Sequence, residues 1–211
     1  YLLVSCLLAH RASSQPEQIL MNAIGQFHRF ADQLREVTRS AHRVLDHHPF
    51  LVPLTRSPLN ESDYSKALAA LHGPQQAIEN MLSGFAPESE FPARLADLES
   101  DLNALGVSPF QLMVDLPQFN SVDQLIGAMY VLEGSNLGGA VISRLLDQSL
   151  PGGIPRDFFA NSGGKARWEK FWTFATASCQ DENFAIAAAA ACTTFNLYKT
   201  HLDLCLNSSV N

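Results

Sequence analysis

Arg35, His42 and Asp46 lie in the stretch LREVTRSAHRVLD, where Phe27, Phe30, Leu34, Val37, Ala41 and Leu45 recur at the three-to-four-residue spacing of an amphipathic helix. On such a helix His42 falls about 105° from the centre of the apolar stripe, at the edge of the core beside Arg35, Arg39 and Asp46. Arg35 and His42 share a face, about 10.5 Å apart along the axis. Asp46, one turn on, can accept one ring N–H of His42 and fix the tautomer that leaves the other nitrogen free for a metal. A ligand, an orienting carboxylate and a cation on one strip suit a planar metal complex with acidic tails. Spacing alone fits a surface hydrogen-bond network better. The remaining histidines offer less: His47 and His48 sit at a helix end, His10 and His28 lie upstream without evident partners, and His72 and His201 read as edge positions.

A second stretch, YVLEGSNLGGAVISRLL from Tyr130, has the periodicity of a buried helix interrupted by Gly134, Gly138 and Gly139. Each glycine weakens a helix by about 1 kcal/mol relative to alanine, roughly 3 kcal/mol in all. On a wheel the three glycines share one broad face with Val131, Ser135 and Ile142. A face without side chains admits either a closely packed second helix or a flat ligand lying against the backbone, and the residues leave both open. GSNLGG is not a phosphate loop, because it lacks the lysine and follows no strand.

The elements that must carry these residues are helical. After the first helix, which His48-Pro49 ends, SPLNESDYSKALAALHG offers Asn60 or Ser62 as the cap of a second helix ending near Gly73. Further helices are expected over PQQAIENML, FPARLADLESDLNALG, SVDQLIGAMYVLEGSNLGGAVISRLLDQ, KARWEKFWTFATASC and ENFAIAAAAACTTFNLYKTHLDLCL. The fold class is all-α, a single domain of about seven or eight helices. The alanine run at 187–191 reads as good helix former and nothing more.

The chain has 211 residues, 46% of them hydrophobic, enough for a sizeable core. Its net charge of -7 and only 14 basic residues, unclustered, argue against nucleic acid and anionic membrane surfaces as partners. Cys6, Cys179, Cys192 and Cys205 show no zinc or CxxC spacing and fit a reducing cytoplasm. The opening YLLVSCLLAH is too short to span a bilayer. Residues 1–20 read as an extension of unknown role, and 21–211 as the helical domain.

LREVTRSAH with RVLD resembles the proximal helix of the haem oxygenases, and YVLEGSNLGG their distal helix, in the form of bacterial, phytochrome-associated, biliverdin-forming members. The likeness extends from residue 30 to about 205, including CTTFNLYKTHLDL as the final pocket helix. It implies that His42 is the proximal iron ligand and Asp46 the carboxylate that hydrogen-bonds it. Arg35 matches a basic position near a haem propionate, Thr38 a pocket-lining threonine, and Phe195 an aromatic at the porphyrin edge. Tyr130 is placed with the haem-binding residues, and Gly134, Gly138 and Gly139 match the glycines that leave room for O2. Ser135 stands where the animal enzymes carry an aspartate, as in bacterial relatives with the same EGS run. The second propionate clamp is open among Lys165, Arg167 and Lys170, with Lys170 the candidate. The resemblance implies cleavage of haem, both substrate and cofactor, by O2 and external electrons to biliverdin, CO and Fe2+. A reductase or ferredoxin is the implied donor and a bacteriophytochrome apoprotein a recipient. The alternatives are a non-catalytic haem carrier or sensor, a thiamin-degrading enzyme of similar fold, and a helical interaction protein.

Overall fold

Helix α1 (Gln15–Asp46) carries the histidine strip and begins ahead of residue 21. The computed structural model describes residues 15–56 and 58–210, with side chains at 25, 29–56 and 58–208, so Cys6, His10 and most of the expected extension lie outside the described residues. After α1 come α2 (Glu61–Leu82), α3 (Leu95–Leu105), α4 (Val122–Ser149), a single turn α5 (Asp157–Ala160), α6 (Gly164–Ser178) and α7 (Phe184–Val210). No strand occurs among the described residues, so the all-α reading holds.

The helix ends follow from local chemistry. Asn60 caps α2, its side chain accepting from the Asp63 N–H at 2.8 Å. Ser121 and Gln124 form a reciprocal capping box at the start of α4. Gly106, at φ 66°, closes α3 in the left-handed conformation. Two other helix starts are capped from a distance. Glu79 of α2 accepts from the Arg94 and Leu95 N–H groups at 2.7 and 3.0 Å. Asp101 of α3 accepts from those of Asp157 and Phe158, both at 2.9 Å. Burial pushes the Asp101 carboxyl above its usual range, against the two N–H groups that hold it down.

The sequence splits α2 at Gly73-Pro74, but the structure carries it through with Pro74 inside. The reason is tertiary. Pro74 has no N–H to give to Ala70, and buried His201 of α7 lies by the Ala70 backbone. His201 Nδ1 accepts from the Met113 N–H at 3.2 Å, its Nε2 is 3.3 Å from Cys205 Sγ, and the Phe110 N–H donates to the Ala69 carbonyl at 3.0 Å. Gly73 is needed because a Cβ there would stand 2.8 Å from the Leu112 backbone nitrogen. His72 and His201 are therefore buried, not edge positions, and burial pulls the His201 pKa down.

Helix α1 lies along α7 in the same direction. Phe30 stacks on Phe184 with centroids 4.2 Å apart, His42 meets Phe195 edge-on at 5.8 Å, and His48 Nε2 stands 3.4 Å from Asp203 Oδ1. Helix α4 crosses the core, packing on α6 and α7. It is long and apolar enough to span a membrane by length and composition, but 56% of that window is buried inside the fold. Cys179 and Cys205 are buried, and burial pushes their thiols up to about 12 and about 11.

The closest helix approach is at Gly127, a glycine the sequence reading passed over. A Cβ there would lie 2.2 Å from the Ala187 carbonyl oxygen and 2.8 Å from Ala190 Cβ. Ala187, Ala188, Ala190 and Ala191 are buried. The alanine run is thus more than a helix former: its small side chains form the seam that lets α4 onto α7. Gly127→Ala is expected to lower stability by about 1 to 3 kcal/mol despite its better helix propensity, because a backbone carbonyl must move. Denaturant unfolding would measure this, and equal or higher stability in the variant would reject the seam.

Candidate functional site

Thr38 on α1 and Tyr130 on α4 mark where the histidine-bearing and glycine-bearing helices meet. The Thr38 hydroxyl donates to the Leu34 carbonyl at 2.6 Å and lies 3.5 Å from the Tyr130 hydroxyl, and both residues are buried. Burial then falls off along both helices: His42, one turn past Thr38, is exposed, as are Ser135 and Gly138 beyond Tyr130. The two strips are thus the exposed continuations of one buried contact between α1 and α4.

On α1, His42 Nδ1 is 2.8 Å from Asp46 Oδ2. The imidazole side chain remains 60% exposed, more open than the wheel places it. With Nδ1–H donated to the carboxylate, Nε2 keeps its lone pair. Phe195, buried on α7, packs edge-on against the ring. Arg35 is exposed and loosely paired with Asp32 at 3.3 Å.

The glycines divide by purpose. Around the position of a Gly138 Cβ nothing stands within 4 Å. Gly134 meets only the Trp168 ring, at 3.8 and 3.9 Å. Gly139 departs from the expected shared face: its Cβ would meet Ser162 at 3.0 Å and Phe159 at 3.5 Å, so it is small because α5 and the turn after it pack there. The close helix packing and the open face, alternatives in the sequence, therefore both exist, at different glycines. Ser135 lies on the open side, and its hydroxyl donates to the Leu132 carbonyl at 2.7 Å, which leaves the oxygen able to accept.

Beneath the open face runs a buried polar network that sequence reasoning missed. Arg167 of α6 grips Glu133 of α4 through two N–H groups at 2.5 and 2.7 Å and gives a third hydrogen bond to the Pro92 carbonyl at 2.9 Å. Asn136 bonds Glu133 at 3.4 Å and accepts from Arg94 at 3.3 Å. Burial pulls the Arg94 guanidinium below its ordinary value, opposed by its hydrogen bond to Asp97. A glutamate just before Gly134 in an apolar helix was the available signal. Arg167 is thereby removed from the propionate candidates, and Lys165 pairs with Glu169 in solvent. Lys170 is exposed on α6 and makes no ion pair among the described residues. No cluster of three or more histidine, cysteine or acidic residues suited to a metal occurs among them.

Comparison with known proteins places this geometry. The family model described as "Heme oxygenase" matches residues 28–203. A curated relative named "Heme oxygenase" from Xanthomonas campestris pv. campestris (strain 8004) is 33% identical over 133 residues. That match covers 63% of this chain and 64% of the relative's length, short of two thirds. In fold, the chain is similar to the heme oxygenase of Neisseria meningitidis in its NO- and CO-bound structures, with a TM-score of 0.68, 24% identity, and 84% of this chain and 92% of that one covered. It is also similar to heme oxygenase-1 from the cyanobacterium Synechocystis sp. PCC6803 in complex with heme, with a TM-score of 0.60, 17% identity, and 82% and 90% covered.

The open space at Gly138 has a thermodynamic signature. Gly138→Ala should stabilise the ligand-free protein by up to about 1 kcal/mol, since the added methyl meets nothing and helix propensity improves. Thermal unfolding of the ligand-free variant checks this, and a loss of stability would mean that Gly138 is small for packing after all.

Proposed function

Because the chain belongs to the haem oxygenase family, we propose that it cleaves haem with O2 and externally supplied electrons, releasing biliverdin, CO and Fe2+. The observation that carries this reading is the exposed imidazole of His42, held by Asp46, on a helix that meets the one whose face is empty around Gly138, so that haem would lie in a cleft between the two. Bound haem supplies the iron at which O2 is reduced and the meso carbon that is oxidised. The chain's own residues hold and shield it.

His42 Nε2 is the iron ligand, and the Asp46 hydrogen bond makes the imidazole a better donor and fixes its plane. Phe195 backs the ring, while Thr38 and Tyr130 close the inner end of the cleft. The backbone at Gly138 gives O2 room that a larger side chain would take, and Gly134 extends that bare face up to the Trp168 ring. Ser135, with a free lone pair, holds distal water in place of an aspartate. Arg35 and Lys170 take the propionates; Arg35 can exchange its exposed pairing with Asp32 for a carboxylate at little cost, since such pairs contribute about 0 to 1 kcal/mol.

Electrons come from a reductase or ferredoxin, and a bacteriophytochrome apoprotein is a recipient of the bilin. A reducing cytoplasm is the compartment this reading assigns, in keeping with cysteines that show no zinc or CxxC spacing. Haemin titration followed by reduction in air separates catalysis from its rival: turnover yields biliverdin absorbance, whereas a carrier keeps a stable Soret band.

Two substitutions test the proximal side. His42→Ala should remove the histidine-ligated ferric spectrum, and an unchanged spectrum would take His42 out of the site. Asp46→Ala should lower haem affinity or turnover about 10- to 100-fold while circular dichroism still reports an intact helix. Wild-type affinity, rate and iron–histidine stretching frequency together would reduce Asp46 to a surface charge.

A further inference from the structure

Trp168 has no task in the reaction as written, yet its placement is specific. The residue before it, Arg167, grips Glu133, the residue before Gly134. That pairing sets the indole opposite Gly134, where Cζ3 and Cη2 stand 3.8 and 3.9 Å from the position of a Cβ. Tyr130, Phe171 and Trp172 surround the indole, with centroids 5.6, 5.2 and 5.3 Å away, and Phe171 is nearly parallel to it at 19°. One turn further along α4, at Gly138, nothing stands within 4 Å. The bare face is walled at one end and open at the other.

We infer that Trp168 is a specificity-determining residue, which closes the Gly134 end of the cleft so that O2 meets the haem only towards Gly138 and one bilin isomer results. This rests on the haem-cleaving function proposed above. Haem has four meso carbons of similar reactivity, and a single axial histidine does not choose among them. A steric wall on one side of the distal space does choose, provided it cannot swing away. An indole held by three aromatic neighbours, on a helix pinned by a buried bidentate ion pair, meets that condition. A tryptophan serving only the core would not need to face a glycine at the edge of an open cleft.

The test compares wild type with Trp168→Leu and Trp168→Phe. Each is titrated with haemin, turned over with a reducing system and resolved into bilin isomers by chromatography. The CO stretching band of the ferrous carbonyl is recorded by infrared spectroscopy. Trp168→Leu should bind haem with a wild-type Soret band, lose single-isomer specificity, and show a shifted or split CO band; Trp168→Phe should fall between. An unchanged isomer and CO band in haem-loaded Trp168→Leu overturn the inference. If that variant does not fold, the same null result in Trp168→Phe does so. A wild-type protein that binds haem but forms no bilin overturns the proposed reaction and with it isomer selection. In that case an unmoved CO band in the variants also removes Trp168 from the distal wall. Absence of any Soret band in wild type removes both.

Discussion

The approach of α4 to α7 at Gly127 is the constraint from which the cleft follows. Only a glycine fits against the Ala187 carbonyl, and only alanines on α7 let the two backbones come so near. Helix α1 also lies on α7, through Phe30 and Phe184 at one end and His48 and Asp203 at the other. Two long helices drawn onto a common third one touch at Thr38 and Tyr130, and exposure rises beyond that point on both. An accessible imidazole and a bare backbone then stand on two helices that meet one turn away from each. Glycine thus serves opposite ends within one helix: at Gly127 its absence of a side chain is filled by a neighbour, at Gly138 it is left unfilled.

Buried and half-buried carboxylates supply the second level of order. Glu79, Asp101 and Glu133 each bind donors that belong to another segment of the chain. Removing such groups from water is costly, and a well-matched pair does no more than recover the cost. Their return is in register. A helix sliding along an apolar seam changes its packing by degrees, whereas Arg167 meets both oxygens of Glu133 in one position only. That position fixes what the next residue on each helix faces.

The parts legible in the sequence were those governed by short-range periodicity and by local chemistry. The helices around His42 and Gly134, the Asn60 cap, and the His42–Asp46 contact all depend on residues within one or two turns of each other. Misreadings arose where a distant segment changed the local rule. Pro74 reads as a helix end until α7 and the segment at 110–113 pack against that turn of α2. The alanine run looks featureless until Gly127 lies against it. Gly139 shares a wheel face with Gly138 only if that face has one neighbour, and α5 covers part of it. Arg167 looked like a free cation because its partner Glu133 lies on another helix, and nothing in KARWEKFW specifies that pairing.

The parallel run of α1 along α7 also bears on how the protein assembles. Phe30 and Phe184, or His42 and Phe195, are joined across nearly the whole described chain. Contacts of such separation form late, after the loop-closure entropy of everything between has been met. During synthesis α1 emerges first and waits for α7, with its apolar stripe unpaired meanwhile. The imidazole acquires its Phe195 backing only when α7 docks, so the proposed binding site waits on that long-range contact. A chain released before α7 has docked would present His42 on an isolated helix, without the aromatic wall that turns a surface histidine into a site.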